Sequence, residues 1–95
     1  MNNQEIKELT LLHVAQTYAR FPIALVRGKG VKVWDADGKE YLDFVGGIAV
    51  DCLGHGHPAV LRALRRQSRD LIHVSNLYHI GPQAELARDL CRHSF

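Results

Sequence analysis

The sequence predicts an α+β fold, and three features carry that expectation. Apolar residues recur at helical spacing near the N-terminus, the period shifts to two between residues 23 and 45, and Pro58 and Pro82 each open a further helical pattern. The expected architecture is an N-terminal helix, a small three-stranded antiparallel meander and two further helices.

The first helix is expected over residues 4–18. Leu11, Val14, Ala15 and Tyr18 stand at i, i+3, i+4 and i+7, which places them on one face. Pro22 blocks its continuation, because a residue before proline avoids the α region. Three strands are then expected at Ile23–Arg27, Val31–Trp34 and Glu40–Val45, rich in Val, Tyr, Trp and Phe. The segments RGKG (27–30) and DADGK (35–39) separate them, with Gly30 and Gly38 able to supply the positive φ of tight turns. One face of so small a sheet needs cover from elsewhere. Residues 46–57, GGIAVDCLGHGH, hold four of the eight glycines and permit close backbone approach. A helix runs from Pro58 to about Leu71, with Leu61, Leu64 and Leu71 on its apolar side and Arg62, Arg65, Arg66 and Arg69 on the other. Residues 72–81 form a polar and aromatic loop. Pro82 opens the last helix, with Leu86, Ala87, Leu90 and Cys91 inward.

Composition narrows the function classes. The 95 residues allow one small domain at most, of marginal stability alone, and 46% hydrophobic residues is ordinary for globular protein. No stretch approaches the roughly 20 apolar residues of a membrane span. The opening MNNQEIKELT does not resemble a secretory signal, so a cytoplasmic location is expected. A net charge of +2 is too small to imply a nucleic-acid partner by itself, and none is expected. Cys52 and Cys91 stand far apart without CxxC spacing and are expected to be reduced. LARDLCRHSF carries a helical pattern up to Phe95 with no stop signal, from which the chain is expected to be incomplete.

The chemistry-bearing motifs each have a structural reading. His55, His57 and Asp51 invite a metal site, but no third strong ligand follows at a familiar spacing. The alternative is that Gly54 and Gly56 shape a turn and His57 caps the helix at Pro58. DADGKE lacks the later ligands of a calcium loop and reads as a hairpin turn. RGKG is too short for a Walker loop and reads as a strand-joining turn. The Arg62/Arg65/Arg66/Arg69 face suits a solvated surface, a protein interface or a nucleic-acid backbone. The last two would make the chain a stand-alone interaction module. No nucleophile–base pair stands out, so no catalytic residue is expected in this segment.

Taken together, FPIALVRGKGVKVWDADGKEYLDFVGGIAVDCLGHGHPAVLRAL (21–64), HVSNLYH (73–79) and GPQAELARDL (81–90) strongly resemble the N-terminal region of class III (subgroup II) pyridoxal-phosphate-dependent aminotransferases. The order of the segments is that family's, over residues 8 to 95. Within the class, GGIAV and SNLYH look closest to the acetylornithine branch, with succinylornithine and ornithine enzymes as runners-up.

The resemblance implies a fold-type I enzyme in which this segment is part of the small domain, the large cofactor domain being absent. It implies a homodimer with shared active sites, pyridoxal 5'-phosphate as cofactor, and N-acetylornithine and 2-oxoglutarate as substrates, in arginine biosynthesis. It carries over substrate-site roles for Tyr18, near the donor's polar end, and for Ile48, where ornithine enzymes have a pocket tyrosine. Ser75 and Asn76, with Leu77 and Tyr78, match a loop that approaches the partner subunit's active site. Helix-to-sheet packing for Tyr18, a buried aliphatic role for Ile48 and loop structure for Ser75 and Asn76 stand as alternatives. None of Lys7, Lys29, Lys32 and Lys39 matches the context of the family's cofactor-bearing lysine, so the segment is not expected to be active or to hold the cofactor by itself.

Overall fold

A computed structural model describes residues 1–94. Its elements are α1 (Asn3–His13), β1 (Leu25–Lys29), β2 (Lys32–Asp35), β3 (Glu40–Leu42), a single helical turn α2 (Gly46–Ala49), α3 (Pro58–Asp70) and α4 (Gly81–His93). They fall into two compact units, one of Met1–Leu61 and one from Arg62 on, with α3 beginning in the first and running on in the second. The α+β class and the order of elements are as the sequence predicts; α2 is additional.

Helix α1 starts on a reciprocal cap. Asn2 Oδ1 accepts from the Glu5 amide at 2.9 Å and Glu5 Oε2 accepts from the Asn2 amide at 2.9 Å. It ends at His13, five residues short of the expected Tyr18. Val14 is extended (φ −109°, ψ 132°), and the Gln16 side chain donates to the carbonyls of Thr10 and Val14 at 3.0 and 2.6 Å. A side chain thus takes a carbonyl at the helix end. The predicted face of Leu11, Val14, Ala15 and Tyr18 does not form, since the last three lie outside the helix.

The sheet is antiparallel in the order β1-β2-β3, as expected. Its register pairs Gly28 with Val33, Lys29 with Lys32 and Val33 with Tyr41, with an irregularity at Val26. The first turn is tighter than RGKG suggests: Arg27, Gly28 and Lys29 belong to β1, and only Gly30 (φ 57°) and Val31 join the strands. DADGK is the hairpin turn expected. Asp35 Oδ1 accepts from the amides of Asp37 and Lys39 at 3.1 and 2.8 Å, and Gly38 takes φ 86°. Strand β3 stops at Leu42, not Val45, because Asp43 Oδ1 accepts from the amides of Val45 and Gly46 at 3.0 and 2.9 Å and turns the chain.

On one face of the sheet Arg27 lies over the Trp34 ring, 3.8 Å from its centroid, and Lys32 pairs with Glu40 at 2.7 Å. The other face holds the two buried residues, Val33 and Asp35. Asn3 ties α1 to this region. Its side chain donates to Asp35 and Asp37 at 3.0 and 2.9 Å, and its oxygen accepts from the Ala24 amide at 2.8 Å.

Beyond β3, α3 covers the predicted range. His57 caps it as expected, its Nδ1 accepting from the Ala59 amide at 3.2 Å. Helix α4 begins at Gly81 with Pro82 in its first turn. It is closed at Ser94, whose amide and hydroxyl both reach the Leu90 carbonyl, at 3.0 and 2.6 Å. Among the described residues no helix is long and apolar enough to cross a membrane.

Candidate functional site

Two polar nodes organise the first unit, and neither is among the residues singled out by resemblance. The first is Asp35, 4% exposed. Its Oδ2 accepts from the Tyr41 hydroxyl at 2.7 Å and from Asn3 at 3.0 Å. The Tyr41 hydrogen bond, joined by Asn3 and the amides of Lys39 and Asp37, holds the Asp35 carboxyl below its usual range against the opposing effect of burial. The same bond, burial and the charges of Asp35 and Asp37 push the Tyr41 phenol up.

The second node is His55. Its Nε2 lies 2.7 Å from Asp43 Oδ2 and its Nδ1 lies 3.1 Å from Asp51 Oδ2. The ring therefore lies between the two carboxylates, with one nitrogen within hydrogen-bond distance of each. The Gly46 amide first, then His55 and the Val45 amide, hold the Asp43 carboxyl below its usual range against desolvation. The backbone of His55 is fixed as well: it forms a bridge with Gly30, with N–H···O distances of 2.8 and 2.9 Å. Glycine is required at position 54 for this approach, since a Cβ there would meet the Gly30 carbonyl oxygen at 2.9 Å and φ is 77°.

Between Asp43 and Asp51 lies α2, whose backbone has the opposite hand to an ordinary helix. Gly46, Gly47, Ile48 and Ala49 have φ of 52°, 63°, 66° and 60°. The turn is closed by Ala49 N–H to the Val45 carbonyl and by Val50 and Asp51 N–H to the Gly46 carbonyl, each 2.9 Å. A β-branched residue in this region is a genuine outlier.

Ile48 is carried on that turn, 85% exposed, so within the chain it is not the buried aliphatic that the alternative reading expected. Tyr18 is also exposed, with the Arg20 guanidinium 6.0 Å from its ring centroid, and it does not pack a helix against the sheet. In the second unit, Ser75 shapes a turn: its hydroxyl accepts from the Leu77 amide at 3.3 Å and its carbonyl from the Tyr78 amide at 3.1 Å. Asn76 sits exposed within it. Ser75 and Asn76 are thus neighbours on one turn, while among the described residues no hydrogen bond joins Tyr18 to Ile48. The node at His55 was legible only in part. Asp51 and His55 are four apart, but the role of Asp43 depends on a chain reversal that the sequence does not announce.

The residues present do not form a cradle for pyridoxal phosphate. Lys32 is held by Glu40 and Lys39 lies over Tyr41, 5.1 Å from its centroid; both, like Lys7 and Lys29, are exposed. Among the described residues no group of three His, Cys, Asp or Glu side chains converges as metal ligands. Cys52 and Cys91 are free and exposed. The four arginines of α3 are exposed, and no ion pair among the described residues involves them.

The pattern of the family described as aminotransferase class-III matches residues 13–95. Acetylornithine aminotransferase of Nostoc sp. is 59% identical over 81 residues, 85% of this chain and 19% of that protein. The protein of that name in Streptomyces coelicolor is 52% identical over 98% of this chain and 23% of its own length. Among solved structures, acetylornithine aminotransferase from Elizabethkingia anophelis superposes with a TM-score of 0.90 at 33% identity, over 97% of this chain and 24% of that one. The chain spans about a fifth of the length of the curated relatives it matches.

Proposed function

Since the chain belongs to the class III aminotransferases, we propose that it forms the N-terminal, small-domain part of an enzyme that moves an amino group from N-acetylornithine to 2-oxoglutarate. The observation that carries this reading is the 59% identity to an acetylornithine aminotransferase across 85% of the chain. The enzyme is a cytoplasmic homodimer of arginine biosynthesis. Membership of the class implies pyridoxal 5'-phosphate as its cofactor, which would supply an electron sink when bound to the complete enzyme. No residue of this segment holds that cofactor; the segment supplies walls and contacts.

Tyr18 and Ile48 contribute to the donor pocket, with Ile48 favouring a donor whose distal nitrogen is acylated over one with a charged terminal amine. An aliphatic side chain offers a cation no partner, so the free amine is disfavoured by desolvation. Ser75 and Asn76 serve the partner subunit's site. The wide exposure of apolar side chains supports membership of a larger protein: Leu64 (62%), Leu86 (61%) and Leu90 (59%) on α3 and α4 are mostly exposed among the described residues. The stand-alone interaction module on the α3 arginines finds no support in the relatives.

The test is transamination by the complete enzyme that carries this segment. We expect 2-oxoglutarate-dependent conversion of N-acetylornithine with a higher kcat/KM than ornithine. Absence of glutamate formation from N-acetylornithine refutes the reading.

A further inference from the structure

The left-handed turn is bracketed by two carboxylates that share one imidazole. Asp43 stands just before it, bonding the amides of Val45 and Gly46 through Oδ1 and His55 through Oδ2. Asp51 stands just after it, bonding the Gly46 carbonyl through its own amide and His55 through Oδ2. His55 is in turn anchored to the sheet by its Gly30 bridge. Its ring lies against the backbone of Gly28, where an added Cβ would meet the His55 Cβ and Nδ1 at 2.7 and 2.8 Å. Strand β1 thus leaves room for the ring by having no side chain at that point.

Such geometry answers a physical question that the turn poses. Four successive left-handed residues, two of them Ile48 and Ala49, are unfavourable for L-amino acids. Strained backbone persists only where its surroundings over-determine it. The ring of His55 joins the residues that flank the strained segment, and does so from a fixed point on the sheet.

We propose that His55 is a positioning residue: through Asp43 and Asp51 it clamps Gly46–Ala49 in the left-handed form and thereby fixes the direction in which Ile48 is presented. The consequence for donor choice rests on the reading of Ile48 given above; the clamp itself does not.

The experiment has two arms. In the first, Cα and Cβ chemical shifts of Ile48 and Ala49, which report the sign of φ, are measured by NMR in the chain carrying His55→Gln, Asp43→Asn or Gly28→Ala. Gly28→Ala retains every hydrogen-bonding group and displaces the His55 side chain from its Cβ outward, and the Val33–Tyr41 cross-strand contact verifies that the sheet is intact. We expect all three variants to lose the left-handed signature; its retention in His55→Gln and Gly28→Ala overturns the clamp. In the second arm, the kcat/KM ratio for N-acetylornithine over ornithine is measured for the same substitutions in the cofactor-loaded complete enzyme. A drop of about tenfold or more is the scale expected from a sub-ångström to ångström displacement at a substrate site. Loss of the left-handed signal with an unchanged ratio refutes the role in donor choice and leaves the clamp standing. Failure of the complete enzyme to use N-acetylornithine refutes the proposed function, while the NMR arm still decides the clamp.

Discussion

Replacing Ile48 by glycine should make the left-handed turn more stable. Ile48 has φ 66° and ψ 58°, in the region where Cβ crowds the following carbonyl oxygen, and its side chain is 85% exposed. Removing that side chain costs little burial within the chain. The relief of left-handed strain is about 1–2 kcal/mol for one residue. Against it stands the larger freedom that glycine loses on ordering, roughly 0.5–1 kcal/mol. The midpoints of the two ranges leave a gain of about 0.75 kcal/mol, a factor of roughly three to four in the local opening equilibrium at RT of about 0.6 kcal/mol.

The assay is amide exchange at Ala49, Val50 and Asp51, whose N–H groups close the turn onto the carbonyls of Val45 and Gly46. Exchange should slow about three- to fourfold in Ile48→Gly, the ratio set by that balance. Ile48→Ala is the control, since alanine keeps Cβ and so keeps the strain; its exchange should stay within about twofold of the parent. Equal or faster exchange in Ile48→Gly refutes the claim that the turn is strained at this residue. The same substitution should weaken the preference for the acylated donor in the complete enzyme, a gain of local stability at the expense of selectivity.

Three further outcomes follow from the geometry. Asn2→Ala removes the α1 cap and should cost about 1 kcal/mol of helix stability, read as faster exchange at the Glu5 and Ile6 amides. Val33→Ala removes two buried methyl groups from the only apolar residue in the described core, and should destabilise the sheet by about 1.5 kcal/mol, measured by urea titration of the Trp34 fluorescence. The Asp35–Tyr41 bond should give the sheet a two-sided pH limit. The Asp35 carboxyl is held below its ordinary 3.8, so its contribution is full above that value and is lost as pH falls through the lower folded-state pKa. The Tyr41 phenol is raised above its ordinary 10.0, so its contribution is full below 10.0 and is lost as pH rises through the higher folded-state pKa. An NMR titration of the Tyr41 phenol should have its midpoint above 10.0; a midpoint at or below 10.0 would contradict the bond.

The order of elements was readable because turns and helix starts have local chemistry. DADGK places Asp35 and Gly38 where a hairpin turn uses them, and Pro58 and Pro82 mark helix starts that the structure reproduces to within a residue. The ends were less readable, because they are set by side chains that compete with the backbone. Gln16 stops α1 by bonding Thr10 and Val14, and Asp43 stops β3 by bonding Val45 and Gly46. The left-handed turn was hidden for another reason. GGIA signals freedom at Gly46 and Gly47, but nothing local extends a positive φ to Ile48 and Ala49. That conformation depends on His55, Asp43 and Asp51 meeting in space. Resemblance supplied Tyr18, Ile48, Ser75 and Asn76 as site residues without supplying what holds any of them.

In this segment polar groups do the internal binding and apolar groups face outward. Val33 is the one buried apolar residue among those described, whereas Asp35 and Asp43 each gather several donors, including one distant in sequence, Asn3 for Asp35 and His55 for Asp43. Carboxylate nodes specify geometry more sharply than they add stability, because each bond must be made at a set distance and angle while its net contribution is modest. A segment organised this way is defined in shape but depends on its surroundings for much of its free energy. That division suits a chain spanning about a fifth of its relatives' length. The Asp43–His55–Asp51 relay can set the backbone that carries Ile48 without an apolar core beneath it. The apolar faces of α3 and α4 are then left for the rest of the enzyme to cover.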